Sequence, residues 1–354
     1  MPTVALLFGG RSGEHEVSLR SAASVAAGLR RTCSVVPVLI DHDGRWFLQE
    51  GEEPAPVGGE PVFLSPSPDD LGRLRRLSDG AVAASPNVFF PVLHGPFGED
   101  GTIQGLLELA GVAYVGSGVA ASAAGMDKEL MKALFAAAGL PQVSYRVLRA
   151  GDLERGAAGR VIEELGLPAF VKPVSLGSSV GVSKVKRHAD LAAALDTAFL
   201  YDRKVVVEAA VEARELEVSV VGNDAPDASL PGEIVPDREF YDYDSKYSEN
   251  SRTQLLIPAP VPPVVADEAR ALAVRAFRAL DACGYARVDF FLEKKGGRLL
   301  VNEINTIPGF TSISMFPKLW EATGLSYVDL LARLVELGLE RHREKARLAT
   351  RYRS

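Results

Sequence analysis

Two apolar runs, residues 287–293 (RVDFFLE) and 298–305 (RLLVNEIN), flank Lys294-Lys295-Gly296-Gly297 and constrain this chain more than any other segment. Gly-rich turns between such runs make β-hairpins. With the turn centred on Gly296, Asp289 lies opposite Glu303 and Arg287 opposite Asn305. Side chains two apart on a strand share a face. One surface then carries two carboxylates, an amide and a guanidinium. Carboxylate and carboxamide oxygens, completed by phosphate oxygens, suit Mg²⁺. The plainer alternative is a salt-bridged, solvated face. The apolar character of both strands favours the metal reading, since a lone arginine does not call for two acids.

At 354 residues the chain has room for two or three domains. Its 39 Lys and Arg against 46 Asp and Glu give a net charge of −7, which argues against a general nucleic-acid or anionic-membrane binder. Cys33 and Cys283 are the only cysteines and lack metal-site spacing, so a reduced cytoplasmic setting is expected. The N-terminus runs directly into an apolar strand with no basic segment before it, which reads as no signal peptide. No apolar run approaches the roughly 18 residues of a membrane span.

Residues 3–8 read as a buried strand, 17–30 as a helix and 34–40 as a second strand. This βαβ opening feeds a parallel sheet. The Pro- and Gly-rich stretch 51–68 reads as an irregular excursion. A strand at 88–93 leads into GPFGEDG, and 103–110 has helical periodicity. Small residues at 116–125 mark a seam. Beyond it come a helix at 127–138 and strands at 144–148, 169–173, 180–185 and 204–208. A third unit begins near Glu208, with a strand at 215–221 and helices at 265–280 and 327–337. From Arg341 to Ser354 six Lys or Arg stand against one acid, which reads as a solvated helix end.

Residues 176–181 (LGSSVG) join a strand carrying Lys172 to another strand. Gly and Ser offer backbone N–H groups and hydroxyls to an anion, and lysine adds a point charge. A plain turn is the competing reading. No G-x-x-x-x-G-K-[ST] loop is present, and Gly9, Gly10 and Gly13 do not form G-x-G-x-x-G, so hydride transfer is disfavoured. Residues 238–254 hold four aromatics among many charges without clear periodicity, which reads as a lid over a site.

Taken together, GGRSGEHEVSLRS (from Gly9), LHGPFGEDGTIQG (from Leu93), GMDKELMK (from Gly125), VKPVSLGSSVGV (from Val171), FYDYDSKY (from Phe240), RVDFFLE (from Arg287) and NEINTIPGFTSISMFP (from Asn302) resemble the ATP-grasp enzymes. Within them the resemblance is to the D-alanine–D-alanine ligase family, and it spans nearly the whole chain. It implies an α/β fold of three parts: an N-terminal parallel-sheet, Rossmann-like domain (1–117), a central ATP-grasp subdomain (118–207) and a C-terminal one (208–354) carrying metal site and lid. It also implies ATP and two Mg²⁺ (or Mn²⁺) as cofactors, D-alanine as substrate, a cytoplasmic location and a homodimer.

By the same resemblance, Asp289, Glu303 and Asn305 hold the metals, Glu303 bridging them. Lys128 and Lys172 contact the phosphates, Ser178 and Ser179 lie in the covering loop, and Lys246 helps to cover them. Glu208 and Val211 meet the adenine, and Glu215 the ribose. Arg287 polarises the reacting carbonyl. Glu14 receives the ammonium of the first D-alanine, His94 lies near the substrates, and Gly309 and Ser314 receive the carboxylate of the second. Glu14, Ser178 and Tyr247 match a hydrogen-bonded triad, and tyrosine at 247 fits a peptide rather than a depsipeptide product. Ala209-Ala210 and Ala213 depart from the family pattern in the adenine linker. Another carboxylate–amine or D-alanine–D-lactate ligase is the nearest alternative. A non-catalytic nucleotide-binding module is the more distant one, and would be expected to lack a metal ligand or Arg287.

Overall fold

A computed structural model describes residues 1–153, 156–236, 253–311 and 314–349. Three sheets organise them. The first holds β1 (Thr3–Gly9), β2 (Ser34–Ile40), β3 (Trp46–Leu48), β4 (Glu60–Leu64), β5 (Leu74–Arg76), β6 (Val82–Ala84) and β7 (Val88–Pro91), in the order β6-β5-β4-β3-β2-β1-β7. Only β2, β1 and β7 are mutually parallel, as the helix α1 (His15–Leu29) between β1 and β2 requires. The remaining four strands extend the sheet in antiparallel fashion. The stretch expected to be irregular therefore contains β4. Its alternating in–out burial was obscured by the flanking prolines and glycines.

The second sheet is β8 (Tyr145–Arg149), β9 (Ala169–Pro173), β10 (Ser183–Val185) and β11 (Lys204–Ala209), in the order β10-β9-β11-β8. The third contains β12 (Ala213–Gly222), β13 (Asp227–Ala228), β14 (Gly232–Val235), β15 (Gln254–Leu256), β16 (Gly284–Glu293) and β17 (Leu299–Asn305). The seam expected at 116–125 is mostly helix, α3 (Val119–Met126), which follows α2 (Thr102–Leu109). Alanines favour helix even where no amphipathic pattern announces it. Then α4 (Lys128–Ala137) begins under an N-cap, Asp127, whose carboxylate accepts from the N–H groups of Glu129 and Leu130 at 3.0 Å each.

The β16–β17 hairpin pairs Arg287 with Asn305 and Asp289 with Glu303, as expected. Nearer the turn, however, Phe290 pairs with Val301 and Leu292 with Leu299. The turn is thus half a residue off the expected centre. A bulge at Asn302 restores the pairing at the acidic end, and such bulges re-aim side chains beside functional sites.

The first and third sheets share a core. Phe90, Tyr285, Phe310 and Phe316 are buried together, with Tyr285–Phe310 centroids 5.5 Å apart and Phe310–Phe316 centroids 5.1 Å apart. The C-terminal helix Tyr327–Lys345 packs into the same core through Leu330, Leu331, Leu334 and Leu337. It crosses α1 at Gly28, where a Cβ would fall 2.4 Å from Leu331 Cδ1. Its end is docked rather than merely solvated: Arg341 lies 4.1 Å over the Tyr114 ring and donates to the Gly116 carbonyl, and Lys345 pairs with Glu108. The four-stranded sheet has its own core of Leu148, Val161, Ile162, Val171, Leu195 and Val207 among others. Among the described residues no helix is long and apolar enough to cross a membrane.

Candidate active site

Period-two alternation sends Val288, Phe290 and Leu292 of β16 into the core and turns Arg287 and Asp289 to the opposite face. Cross-strand neighbours share that face, so Glu217 on β12 and Glu303 and Asn305 on β17 join them. Arg287 grips Asp289 with two hydrogen bonds, Nε to Oδ1 at 2.6 Å and a terminal nitrogen to Oδ2 at 2.7 Å. Its Nε also lies 3.0 Å from Glu217 Oε2, and Asn305 donates to Asp289 Oδ2 at 3.0 Å. Burial works against the Arg287 charge, but Asp289 and Glu217 outweigh it and hold the guanidinium firmly protonated.

Lysines face this acidic floor. Lys172 on β9 donates to Glu208 Oε2 at 2.6 Å, and Lys132 on α4 reaches Glu208 Oε1 at 2.9 Å. Lys132 and Glu208 are both buried, and burial would raise the Glu208 pKa. The two lysines overcome that and hold it far below the usual carboxylate range. The pKa of Lys172 is raised: desolvation lowers it, and the attraction and hydrogen bond of Glu208 more than compensate. For Lys128 the balance tips the other way, and desolvation leaves its pKa lowered despite the charge of Glu303. Its ammonium donates to the Leu176 carbonyl at 2.7 Å, at the edge of the Gly-Ser loop. The Glu208 carboxylate, expected near adenine, is thus spent on aligning two lysines. Val211 sits half-buried in the β11–β12 linker, and Glu215 on β12 is close enough to act on Lys172.

In the Gly-Ser loop Ser178 and Ser179 both adopt left-handed backbone, at φ 50 and 59. Non-glycine residues hold such conformations at a cost of about 1–3 kcal/mol each, typically where function demands them. The Ser178 hydroxyl donates to Glu14, which stands at the N-terminal end of α1. Glu99 lies close by. Desolvation, followed by the charge of Glu14, raises its pKa to about 8, and its Oε1 accepts from the Gly95 N–H at 2.8 Å. His94 spends both ring nitrogens on protein partners: Nδ1 lies 3.1 Å from the Ile307 carbonyl and Nε2 3.1 Å from Ser21 Oγ. A carbonyl only accepts, so Nδ1 carries the proton. Burial lowers the His94 pKa, so the neutral ring positions residues 307–310 from behind.

Gly309 and Ser314 meet at one end of the cleft, where a Cβ on Gly309 would lie 2.9 Å from Ser314 Oγ. Ser314 precedes the helix Met315–Thr323, whose first N–H groups present the positive end of the helix dipole to an anion. Lys246 and Tyr247, with most of the expected lid, lie outside the described residues.

The donor set fits a hard divalent cation. Glu217, Asp289 and Glu303 put three carboxylates against one guanidinium. A half-turn of the Asn305 amide exchanges its nitrogen for its oxygen, which adds a neutral oxygen donor beside the carboxylates.

Glu217, Lys132 and Glu99 belong to the site but were not singled out from sequence. Alternation held a signal for the first, since Glu215 and Glu217 fall on one face of an apolar strand. For the second it was the i, i+4 spacing of Lys128 and Lys132. Nothing in GPFGEDG marks Glu99 by spacing.

The family model described as D-ala D-ala ligase N-terminus matches residues 3–117, and that described as D-ala D-ala ligase C-terminus matches residues 134–336. A D-alanine–D-alanine ligase of Heliobacterium modesticaldum is 52% identical over 361 residues, covering 98% of this chain and 97% of the relative. One from Deinococcus radiodurans is 51% identical, covering 95% and 98%. Among solved structures, the D-alanine–D-alanine ligase from Coxiella burnetii superposes with a TM-score of 0.85 at 36% identity, over 98% of this chain and 97% of that one. The VanG D-Ala:D-Ser ligase of Enterococcus faecalis gives 0.86 at 32%, over 95% and 99%. Fold and site together define a ligase of ATP-grasp architecture. The family as a whole uses ATP and a divalent metal. The chain belongs to the D-alanine–D-alanine ligase family.

Proposed function

We propose that this chain joins two D-alanines into D-alanyl-D-alanine for peptidoglycan precursor synthesis, converting ATP to ADP and phosphate. The observation that carries the reading is the convergence of Asp289, Glu303 and Asn305 with Lys128 and Lys172 around one cleft. Setting a carboxylate against a triphosphate brings anion to anion, and this arrangement counters that repulsion.

In this reading the first D-alanine anchors its ammonium on Glu14. Its carboxylate oxygen attacks the γ-phosphorus, releasing ADP and leaving an acyl phosphate. Arg287 donates to the carbonyl oxygen as charge gathers there. The second D-alanine, its carboxylate held by Ser314 and the turn at Gly309, gives a proton of its ammonium to the Glu14–Ser178–Tyr247 triad, and the free amine attacks the carbonyl carbon, expelling phosphate. Lys128 and Lys172 neutralise the phosphates, and Ser178 and Ser179 close the loop above them. Asp289, Glu303 and Asn305 would hold two Mg²⁺ (or Mn²⁺), which supply positive charge to the phosphate oxygens. Val211 and the backbone beside Glu208 would take the adenine, Glu215 the ribose, and Lys246 and Tyr247 the lid contacts. His94 serves by positioning the 307–310 turn.

The three-part division at 117/118 and 207/208 accompanies this reading, as do a homodimer and a cytoplasmic setting, the compartment that supplies ATP. The resemblance to a D-Ala:D-Ser ligase at 32% identity keeps a second acceptor in play, though the roughly 50% relatives favour D-alanine. A phosphate-release assay with ATP, Mg²⁺ and a panel of D- and L-amino acids, D-serine and D-lactate tests both. Release stimulated by D-alanine alone supports the reading, and release that needs a different acceptor overturns it.

A further inference from the structure

At the start of α1, directly after Glu14 in the chain, stands a cluster that the ligation chemistry leaves unused. His15 opens α1 and is buried, its Nδ1 lying 2.8 Å from the Gly10 carbonyl. A carbonyl accepts only, so Nδ1 bears the hydrogen and Nε2 of the neutral ring keeps its lone pair. This is the arrangement that orients a metal-binding histidine, one ring nitrogen fixed by a backbone oxygen and the other presented outward. Gly9 makes room for the ring: at φ +87, a Cβ there would fall 2.9 Å from His15 Cε1. His42, in the loop after β2, stacks on His15 with centroids 3.8 Å apart and planes inclined by 24°. Glu16 completes the group, and one ligand atom from each residue lies within 4.8 Å of the others.

We propose that His15, Glu16 and His42 form a second metal site, separate from the acidic cradle, for a borderline transition ion such as Zn²⁺, Co²⁺ or Ni²⁺. Two imidazoles and one carboxylate select these ions over Mg²⁺, which prefers an all-oxygen shell. Bonds of about 2.1 Å to a tetrahedral ion set ligand atoms about 3.4 Å apart. The lone pairs of stacked, near-parallel rings run side by side rather than to one point. On binding, the exposed His42 therefore leaves its stack and turns its ring edge toward the ion, the exposed Glu16 swings in beside it, and His15 stays fixed. Water takes the fourth position. The bound ion ties the loop after β2 to the first turn of α1, next to the Gly10–Glu14 segment. The site does not depend on the ligase reading.

The full chain, stripped with chelator and then saturated with Mg²⁺ to fill the cradle, is titrated with Co²⁺. Bound ion is counted by equilibrium dialysis, the d–d absorption band is recorded, and Zn²⁺ is used to displace it. One equivalent is expected in the native chain and in Asp289→Asn. His42→Ala and Glu16→Gln should bind about tenfold or more weakly. The variants avoid His15, whose loss would leave a hole in the fold, and its Nε2 is followed instead by the NMR shift of its ring nitrogen on Zn²⁺ addition. An unchanged ion count and affinity in His42→Ala, or a still His15 resonance, overturns the proposal. So does binding that disappears in Asp289→Asn.

Discussion

The hydroxyl of Ser178 donates to the carboxylate of Glu14 across 164 residues of chain, tying the Gly-Ser loop of the second sheet to the first turn of α1. The donor holds left-handed backbone to do so. Substitution separates the two effects. Ser178→Ala should lose the tie and keep the strain, raising KM for D-alanine roughly tenfold or more, the weight of one hydrogen bond to a charged group. Ser178→Gly should lose the tie and relieve the strain, so its Tm should equal or exceed that of the native chain. Steady-state kinetics with thermal melts of both variants measure this, and a lower Tm for glycine than for alanine would contradict it.

Glu303→Gln should abolish turnover, lowering kcat about 100-fold or more, while leaving Tm and circular dichroism unchanged. The substitution keeps the side chain's shape and removes one charge from a surface whose pairing partners are in place. Near-native phosphate release would remove the metal role given to this residue.

Glu208 is the counter-ion of both Lys132 and Lys172. Glu208→Gln strands the buried Lys132 ammonium and the half-buried Lys172 one, and should cost about 3–5 kcal/mol of stability. Adding Lys132→Met should restore part of that loss, because contacting residues are coupled. Denaturant melts of the single and double variants give the cycle, and strictly additive losses would argue against the coupling.

Glu99 sets a pH dependence. Its folded pKa of about 8 lies above the ordinary value of about 4.3, so between those limits the folded state holds the proton more tightly than the unfolded state. Its contribution is full below about pH 4.3, declines as pH rises, and is gone above about pH 8. Glu99→Gln, which cannot ionise, should match the native Tm near pH 4.5 and exceed it by several degrees at pH 8.5. A difference that does not grow with pH would count against this proton.

The acidic floor was legible in the sequence because strand alternation is a strict period, and Arg287, Asp289, Glu303 and Asn305 all obey it on the reactive face. The bulge at Asn302 was not, since Leu299, Leu300 and Val301 are uniformly apolar and give alternation nothing to distinguish. Strands β3, β5 and β6 span only three residues each, too short for a period to declare itself. Glu208 and Lys132 were opaque for another reason. Their pairing depends on how α4 docks against β11, a tertiary relation that no local spacing encodes. Lys246 and Tyr247, expected over the cleft, fall outside the described residues.

The C-terminal helix and the Phe90–Tyr285–Phe310–Phe316 cluster weld the first and third sheets into one core, whereas the four-stranded sheet keeps a core of its own. The chain enters and leaves that sheet past Ser144 and Ala209, residues joined by a backbone hydrogen bond. Beside this crossing Glu208 meets Lys132 of α4 in a buried ion pair. Ser178 follows the other end of β9, where Pro173 stands about 13 Å from Ala169 at about 3.3 Å per residue. The sheet is thus fastened at both ends, by a buried charge pair at one and by the Ser178 hydroxyl on Glu14 at the other.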